Sequence, residues 1–222
     1  MKITFITLFP EIFSPVLNSS ILGRAQKKGL VEFEVINLRD FGQGNHKIVD
    51  DTPYGGGVGM VLKPDVLANA TKSVLTDGSF TILTSASGVT FNQSTAKKYS
   101  QIKHLIIVCG HYEGVDQRYI NNYIDEEISI GDYVLTGGEL PAMVIADSIT
   151  RLIKGVLAKE EATQKESFEN NLLEHPHFTR PAEFEGQSIP EVLLSGDHKK
   201  IDQWRHDESV AKTKENRSDL LN

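Results

Sequence analysis

From the N-terminus to about residue 157, short apolar runs alternate with amphipathic segments, and this rhythm limits the chain to parallel strands joined by helical crossovers. Strands are predicted at Ile3 to Leu8, Glu32 to Asn37, Phe80 to Thr84, His104 to Val108 and Ile124 to Ile130. Helices are predicted at Ser19 to Lys28, Pro64 to Leu75, Gln93 to Ser100, Val115 to Asn121 and Gly138 to Lys154. In the last helix Ala142, Ile145, Ile149, Leu152 and Ile153 share an apolar face, and Asp147, Thr150, Arg151 and Lys154 share the opposite one. Arg151 is therefore expected to point away from the buried side.

After Leu157 the pattern gives way to AKEEATQKESFENN, polar and charged without an apolar stripe, which reads as a linker. A second, smaller unit is expected from about Leu172 to Asn222. It holds the only tryptophan, Trp204, and a helix over Asp197 to Lys214 with Ser195 or Asp197 as N-cap. There is no internal repeat and no low-complexity tract.

Three loops rich in Gly, Ser and Thr each follow an apolar strand: Thr84 to Gly88, Cys109 to Gly114 and Ser129 to Pro141. In open α/β sheets ligands sit beyond the carboxyl ends of strands, so the three could build one pocket. Any one of them is read more readily as a tight turn; three together shift the balance toward a nucleotide-like ligand met by backbone groups. The cluster GGGVGM at Gly55 to Met60 follows no convincing strand and opens no helix, so it is not a dinucleotide fingerprint. It reads instead as a loop flanked by Asp50, Asp51 and Tyr54 that can close over a planar substrate. No GxxxxGK[ST], GxSxG or HExxH occurs, and the histidines never take helical metal spacing. His175 and His177 flank a proline and read as turn residues before ligands.

Cys109 is the only cysteine, which excludes an internal disulfide and a CxxC zinc site and points to a reducing compartment. It lies at a strand end, where a buried inert thiol is expected. No apolar stretch approaches the roughly 20 residues of a membrane span, and MKITFITLFPEIF lacks a small-residue cleavage site. A soluble cytoplasmic protein is expected. The net charge of −7 argues against a broad nucleic-acid footprint. Cations do gather at His198, Lys199, Lys200, Arg205, His206, Lys212, Lys214 and Arg217, but acidic residues interleave, and a solvated helix laced with ion pairs explains them at least as well.

The motifs ITLFPEIF, VDDTPYGGGVGMVLKP, CGHYEGVDQR, ISIGDYVLTGGELPAMVIADSITRLIKGVL, HPHFTRP and VLLSGDHKKIDQWR, in this order and over nearly the whole chain, resemble the bacterial tRNA (guanine-N1)-methyltransferases. The resemblance implies an α/β, parallel-sheet SPOUT methyltransferase domain with a trefoil knot at 1–157, an exception to the rule against knotted chains. It also implies a flexible linker at 158–171 and a small helical tRNA-binding domain at 172–222. S-adenosylmethionine is implied as cofactor, bent against Leu83, Thr84 and Ser85, then Gly110 and Glu113, then Ile130, Gly131, Asp132, Tyr133, Val134, Leu135, Gly137, Gly138 and Pro141. The implied substrate is tRNA with guanine at position 37, preceded by another guanine, met by His46, Asp50, Gly59 and Arg180. Its methylation guards the reading frame. A homodimer with a shared active site, a linker that orders when tRNA binds, and a magnesium requirement are implied as well.

N1 of guanine carries a proton and is a poor nucleophile until a base removes it, and charge then moves onto O6. In the family the base is the aspartate of a D-S-F tripeptide, and the O6 partner is the arginine matching Arg151. Here the tripeptide is Glu166, Ser167, Phe168, with one methylene more, and Glu160, Glu161 and Glu169 are other carboxylates in the same segment. Without the family, Arg151 reads equally as an ion-pair partner of Asp147. Glu174 and Ala86 stand where many members have aspartate and proline. A knotted methyltransferase of another RNA and a non-catalytic RNA-binding relative are the competing readings; a nicotinamide oxidoreductase is remote.

Overall fold

The computed structural model describes residues 1–159, 163 and 166–221. Contacts divide it into two units, 1–158 and 159–222.

In the first unit, five strands form a parallel sheet: β1 (Lys2–Thr7), β2 (Glu32–Asn37), β5 (Ser79–Thr90), β6 (His104–Cys109) and β7 (Glu126–Ser129), in the order β2-β1-β6-β5-β7. Every residue of β6 is buried, as expected of a central strand covered on both faces. Alternation along the strands sorts the core. Ile3, Phe5, Ile82, Leu105 and Ile107 meet α1 (Phe13–Leu17), α2 (Ser20–Lys27), α4 (Gln93–Tyr99) and α6 (Glu139–Thr150). Ile6, Leu83, Ile106 and Val108 meet α3 (Pro64–Val74) and α5 (Gln117–Tyr123) on the other face. The helix starts follow local chemistry: Pro64 opens α3, Asn92 Oδ1 accepts from Thr95 N at 3.0 Å ahead of α4, and Asp116 Oδ1 accepts from Arg118 N at 2.9 Å ahead of α5.

Several expectations are corrected. The strand expected to end at Thr84 continues to Thr90, because Ser85 to Gly88 form an insertion within it: Thr84 and Val89 both pair with Ile128. Gly88 permits this, since a Cβ there would lie 2.6 Å from the carbonyl carbon of Ile128. The last strand is shorter than expected, Glu126–Ser129, and α5 runs from Gln117, after its Asp116 cap, to Tyr123. Helix α6 ends at Thr150, with Arg151 as C-cap, and its Thr150 is fully buried instead of facing solvent. The glycine cluster 55–59 does follow a strand, though one too short to show a pattern: it joins β3 (Asp50–Asp51) to β4 (Val61–Leu62) in an antiparallel ribbon.

The chain leaves β7 at the sheet's edge and returns to its middle, where α6 packs on β6 and β1. On the way it crosses the loops that follow the two neighbouring strands. Gly138 N donates to Gly110 O at 2.8 Å, His111 and Gly137 form an antiparallel bridge, and Thr84 Oγ1 donates to Gly138 O at 3.3 Å. This crossing is consistent with the knotted SPOUT arrangement.

The second unit is built on α7 (His198–Asn216), with a ribbon of β8 (Glu183–Phe184) and β9 (Gln187–Ser188). Asp197, not Ser195, caps α7 and accepts from Lys199 N and Lys200 N. Ser195 Oγ instead accepts from Asp197 N at 3.2 Å. Ile201 and Thr213 are the buried positions of the helix, and Thr213 Oγ1 accepts from Leu173 N at 2.8 Å.

Candidate active site

The crossing leaves a cavity of about 590 Å³ at the carboxyl end of the sheet. Thirteen of the residues expected around a cofactor line it: Leu83, Thr84, Ser85, Gly110, Glu113, Ile130, Gly131, Tyr133, Val134, Leu135, Gly137, Gly138 and Pro141. Asp132 stands between two of them without lining the cavity itself.

Thr84 is the hub. Its hydroxyl lies 3.2 Å from Val108 O, 3.3 Å from Gly138 O and 3.4 Å from Gly110 N, so one buried side chain ties the three loops together. The closeness dictates glycine. Gly138 has φ −84°, which any residue tolerates, but a Cβ there would sit 2.7 Å from Gly110 N and 2.9 Å from Cys109 Cα. Gly131 is needed for another reason, a φ of +149° with the Tyr133 ring packed against it.

Glu113 and Glu127 line the cavity, and none of the lining residues is Lys or Arg. Such a wall disfavours phosphates and suits a neutral or cationic ligand. Apolar Ile130, Leu135 and Pro141 with the backbone of glycine turns can take the plane and edge of an adenine. The donor set therefore fits S-adenosylmethionine, whose sulfonium carries positive charge.

The cavity is also lined by Ala86, Ser87, His111, Tyr112 and Thr136, which lie within the three expected loops without having been named singly as contacts, and by Gln117, Ile120 and Glu127, which lie outside them. Gln117 belongs to the motif CGHYEGVDQR, whereas Ile120, in α5, carried no signal. Also unforeseen is Glu139, 5% exposed at the first turn of α6, which accepts from Thr7 Oγ1 at 2.8 Å. Gly137 leaves room for both Glu139 Oε2 and His111 Nδ1, the latter shielded from water and without a hydrogen bond among the described residues. Burial, with Glu139 nearby, pushes the Cys109 thiol well up, so it stays protonated and unreactive.

The ribbon β3-β4 lies against the second loop. Glu113 N donates to Met60 O at 3.0 Å and Leu62 N to Gly114 O at 3.0 Å. Gly59, with φ +90°, abuts Glu113, whose carboxyl carbon would lie 2.8 Å from a Cβ at that position. One expected RNA contact thus adjoins an expected cofactor contact. Asp50 is half-buried in β3, and His46 is exposed in the turn between Gln43 and Ile48.

Arg151, partly buried at the end of α6, does not line the cavity. In the second unit Glu166 O accepts from Glu169 N at 3.1 Å, Ser167 Oγ accepts from Glu174 N at 3.0 Å, and Phe168 N donates to Leu172 O at 2.7 Å. The tripeptide is thereby folded into a turn, with Arg217 5.8 Å from the Phe168 ring. Arg180 is exposed before Pro181. Glu160 and Glu161 lie outside the described residues. Among the described residues no three His, Cys, Asp or Glu side chains converge as a cation site, and no step is assigned to magnesium.

The model of the family described as tRNA (Guanine-1)-methyltransferase TrmD matches residues 1–222. Among curated proteins the chain is 52% identical over 224 residues to the tRNA (guanine-N(1)-)-methyltransferase of Clostridioides difficile strain 630, covering 99% of this chain and 97% of that one. It is 53% identical over 221 residues to the protein of that name from Carboxydothermus hydrogenoformans, covering 100% and 87%. It is 51% identical over 224 residues to that of Bacillus subtilis strain 168, covering 100% and 92%. The chain belongs to the tRNA (guanine-1)-methyltransferase TrmD family.

Proposed function

We propose that this protein transfers the methyl group of S-adenosylmethionine to N1 of guanine 37 in tRNA. The observation that carries the reading is the cavity held by Thr84, Gly110 and Gly138, walled by carboxylates without cations, in a chain of this family. The cofactor supplies a sulfonium-bound methyl that is already electrophilic. The remaining work is positioning and proton removal. The three loops hold the donor, and the glycine ribbon beside Glu113 holds the guanine. Glu166 takes the N1 proton, and Arg151 balances the charge that moves onto O6. The part of the second unit from about residue 172 grips the tRNA, and the segment before it serves as linker.

A homodimer completes the site in this reading. Its support is an apolar strip on the first unit: Leu140 and Val144 of α6 are exposed, as are Ile12 and Val16 at the neighbouring α1. Sedimentation of a Leu140→Asp, Val144→Asp variant should give monomers; an unchanged dimer would place the interface elsewhere. Among the described residues no helix is long and apolar enough to cross a membrane, and the proposed compartment is the cytoplasm, where the substrate is.

The deciding experiment is methyl transfer from labelled cofactor to tRNA transcripts bearing guanine or adenine at position 37. Label should enter the guanine transcript alone, at N1. Equal labelling of both, or of neither, rejects the assignment.

A further inference from the structure

A second cavity, about 230 Å³, opens within the second unit between the segment His175 to Phe178 and the N-terminal half of α7. Its walls are aromatic: the His175 and His177 rings lie 4.6 Å apart, and Trp204 is 6.3 Å from His175 and 6.2 Å from Phe178. Arg205 stands at its edge.

These rings are not simply the core of the unit. The buried positions of α7 are Ile201 and Thr213, whereas Phe178 is 47% exposed and the His177 side chain more so. Their polar atoms are also set. His175 Nδ1 lies 3.0 Å from the Pro176 carbonyl, which can only accept, so Nδ1 donates. His177 Nε2 is engaged 3.0 Å from Glu174. Arg205 is only loosely paired, at 3.5 Å from Asp202, and both are exposed. Of the cations on this part of α7 Arg205 is the one that lines the cavity, and Lys200 pairs with Asp197 at 3.4 Å.

We propose that this cavity takes one unpaired base of the tRNA, stacked on Trp204 and Phe178, with Arg205 and His175 at its edge. Stacking on aromatic and guanidinium planes is how proteins seize unpaired RNA bases. The proposal rests on the tRNA-methyltransferase reading and adds a second point of recognition in the other unit.

Trp204 is the only tryptophan, so the emission of the full chain reports on the cavity directly. Titration with an unmodified transcript bearing guanine 37 should quench that emission and shield it from acrylamide. Phe178→Ala, Arg205→Ala and Trp204→Ala should each raise the Kd for tRNA about tenfold or more, with affinity for S-adenosylmethionine unchanged, while Trp204→Phe, which keeps a ring, should restore most of it. If the transcript is bound and methylated while Trp204 emission and quenching stay as in the free protein, the base pocket is refuted and the methyltransferase reading stands. Failure of methyl transfer by the wild-type protein would count against that reading instead. A fully paired RNA duplex that quenches as well as the transcript would overturn stacking in favour of phosphate binding. Loss in Trp204→Phe equal to that in Trp204→Ala, with a lowered Tm in both, would reduce the tryptophan to a packing residue.

Discussion

Thr7, at the end of the first strand, donates a 2.8 Å hydrogen bond to the buried carboxylate of Glu139, 132 residues later. The same hydroxyl accepts from Phe9 N at 2.9 Å. The bond fastens the start of α6, and with it Gly137 and Gly138, to the centre of the sheet. Thr7→Val removes the donor and leaves a carboxylate short of a partner away from water, which costs about 1.5–3 kcal/mol. Urea unfolding should show a lowered midpoint with an unchanged slope. A variant as stable as the parent would mean that Glu139 finds another donor.

A site glycine without positive φ gives a cleaner test of the cavity than one with it. Gly138→Ala adds a methyl against Thr84 Oγ1, Gly110 N and Cys109 Cα at a φ that alanine tolerates. Separating the loops by even a fraction of an ångström should lower cofactor affinity by about tenfold or more, as expected for a pocket whose complementarity is backbone to backbone. Calorimetry with S-adenosylhomocysteine measures it. Wild-type affinity would show that the loops yield freely.

A pH effect on stability is expected far from the cavity. Thr4 Oγ1 donates to Glu34 at 2.9 Å and so accepts from His104 Nε2, also at 2.9 Å, while His104 Nδ1 faces the hydroxyls of Thr76 and Ser79 at 3.0 and 2.9 Å. Burial, with the Lys2 ammonium nearby, holds His104 below its ordinary value of 6.5. Burial alone would raise the Glu34 carboxyl, but the hydrogen bonds from Lys2 and Thr4 together hold it lower, so it stays ionised. The unfolded chain then binds the His104 proton more tightly than the folded one. Stability is full above about pH 6.5 and falls as the pH drops toward the lower folded value. Unfolding midpoints at pH 7.5 and 5.5 should diverge less in His104→Gln than in the parent; equal divergence would refute the assignment.

For the chemistry, Glu166→Gln should leave cofactor binding intact and cut single-turnover methyl transfer about a hundredfold or more, the size expected for a lost general base. Glu166→Asp, which has the tripeptide of the family, should retain activity. A glutamine variant with near-parental rates would free Glu166 of the role.

How far the sequence reaches can be judged at particular residues. The strand at Glu32 to Asn37 has the bounds expected of it, because Phe33, Val35 and Ile36 form a short apolar run and Gly29 closes the preceding helix. The long strand through Thr90 was hidden, since Ser85 to Gly88 read locally as a turn; only the approach of Gly88 to Ile128 shows that the ladder resumes beyond them. Thr150 carries no local mark of burial, and α6 stops five residues ahead of Gly155. Strands of two residues such as Asp50–Asp51 are too short for any periodicity to show. In the candidate site, glycine-rich loops at strand ends were legible, and family motifs named most of the lining. The contacts of Gly138 with Thr84 and of Thr7 with Glu139 join positions far apart in the chain, and local pattern holds no trace of them.

The long reach of the Thr7–Glu139 bond bears on synthesis. A chain emerges from the ribosome N-terminus first, so the opening strand is out well before the residue that completes it. Until the segment through Glu139 has cleared the exit tunnel, the wall formed by residues 130–141 is missing and the donor has nowhere to lodge. A nascent chain is thus without a complete cavity for most of its translation, and the last wall arrives late.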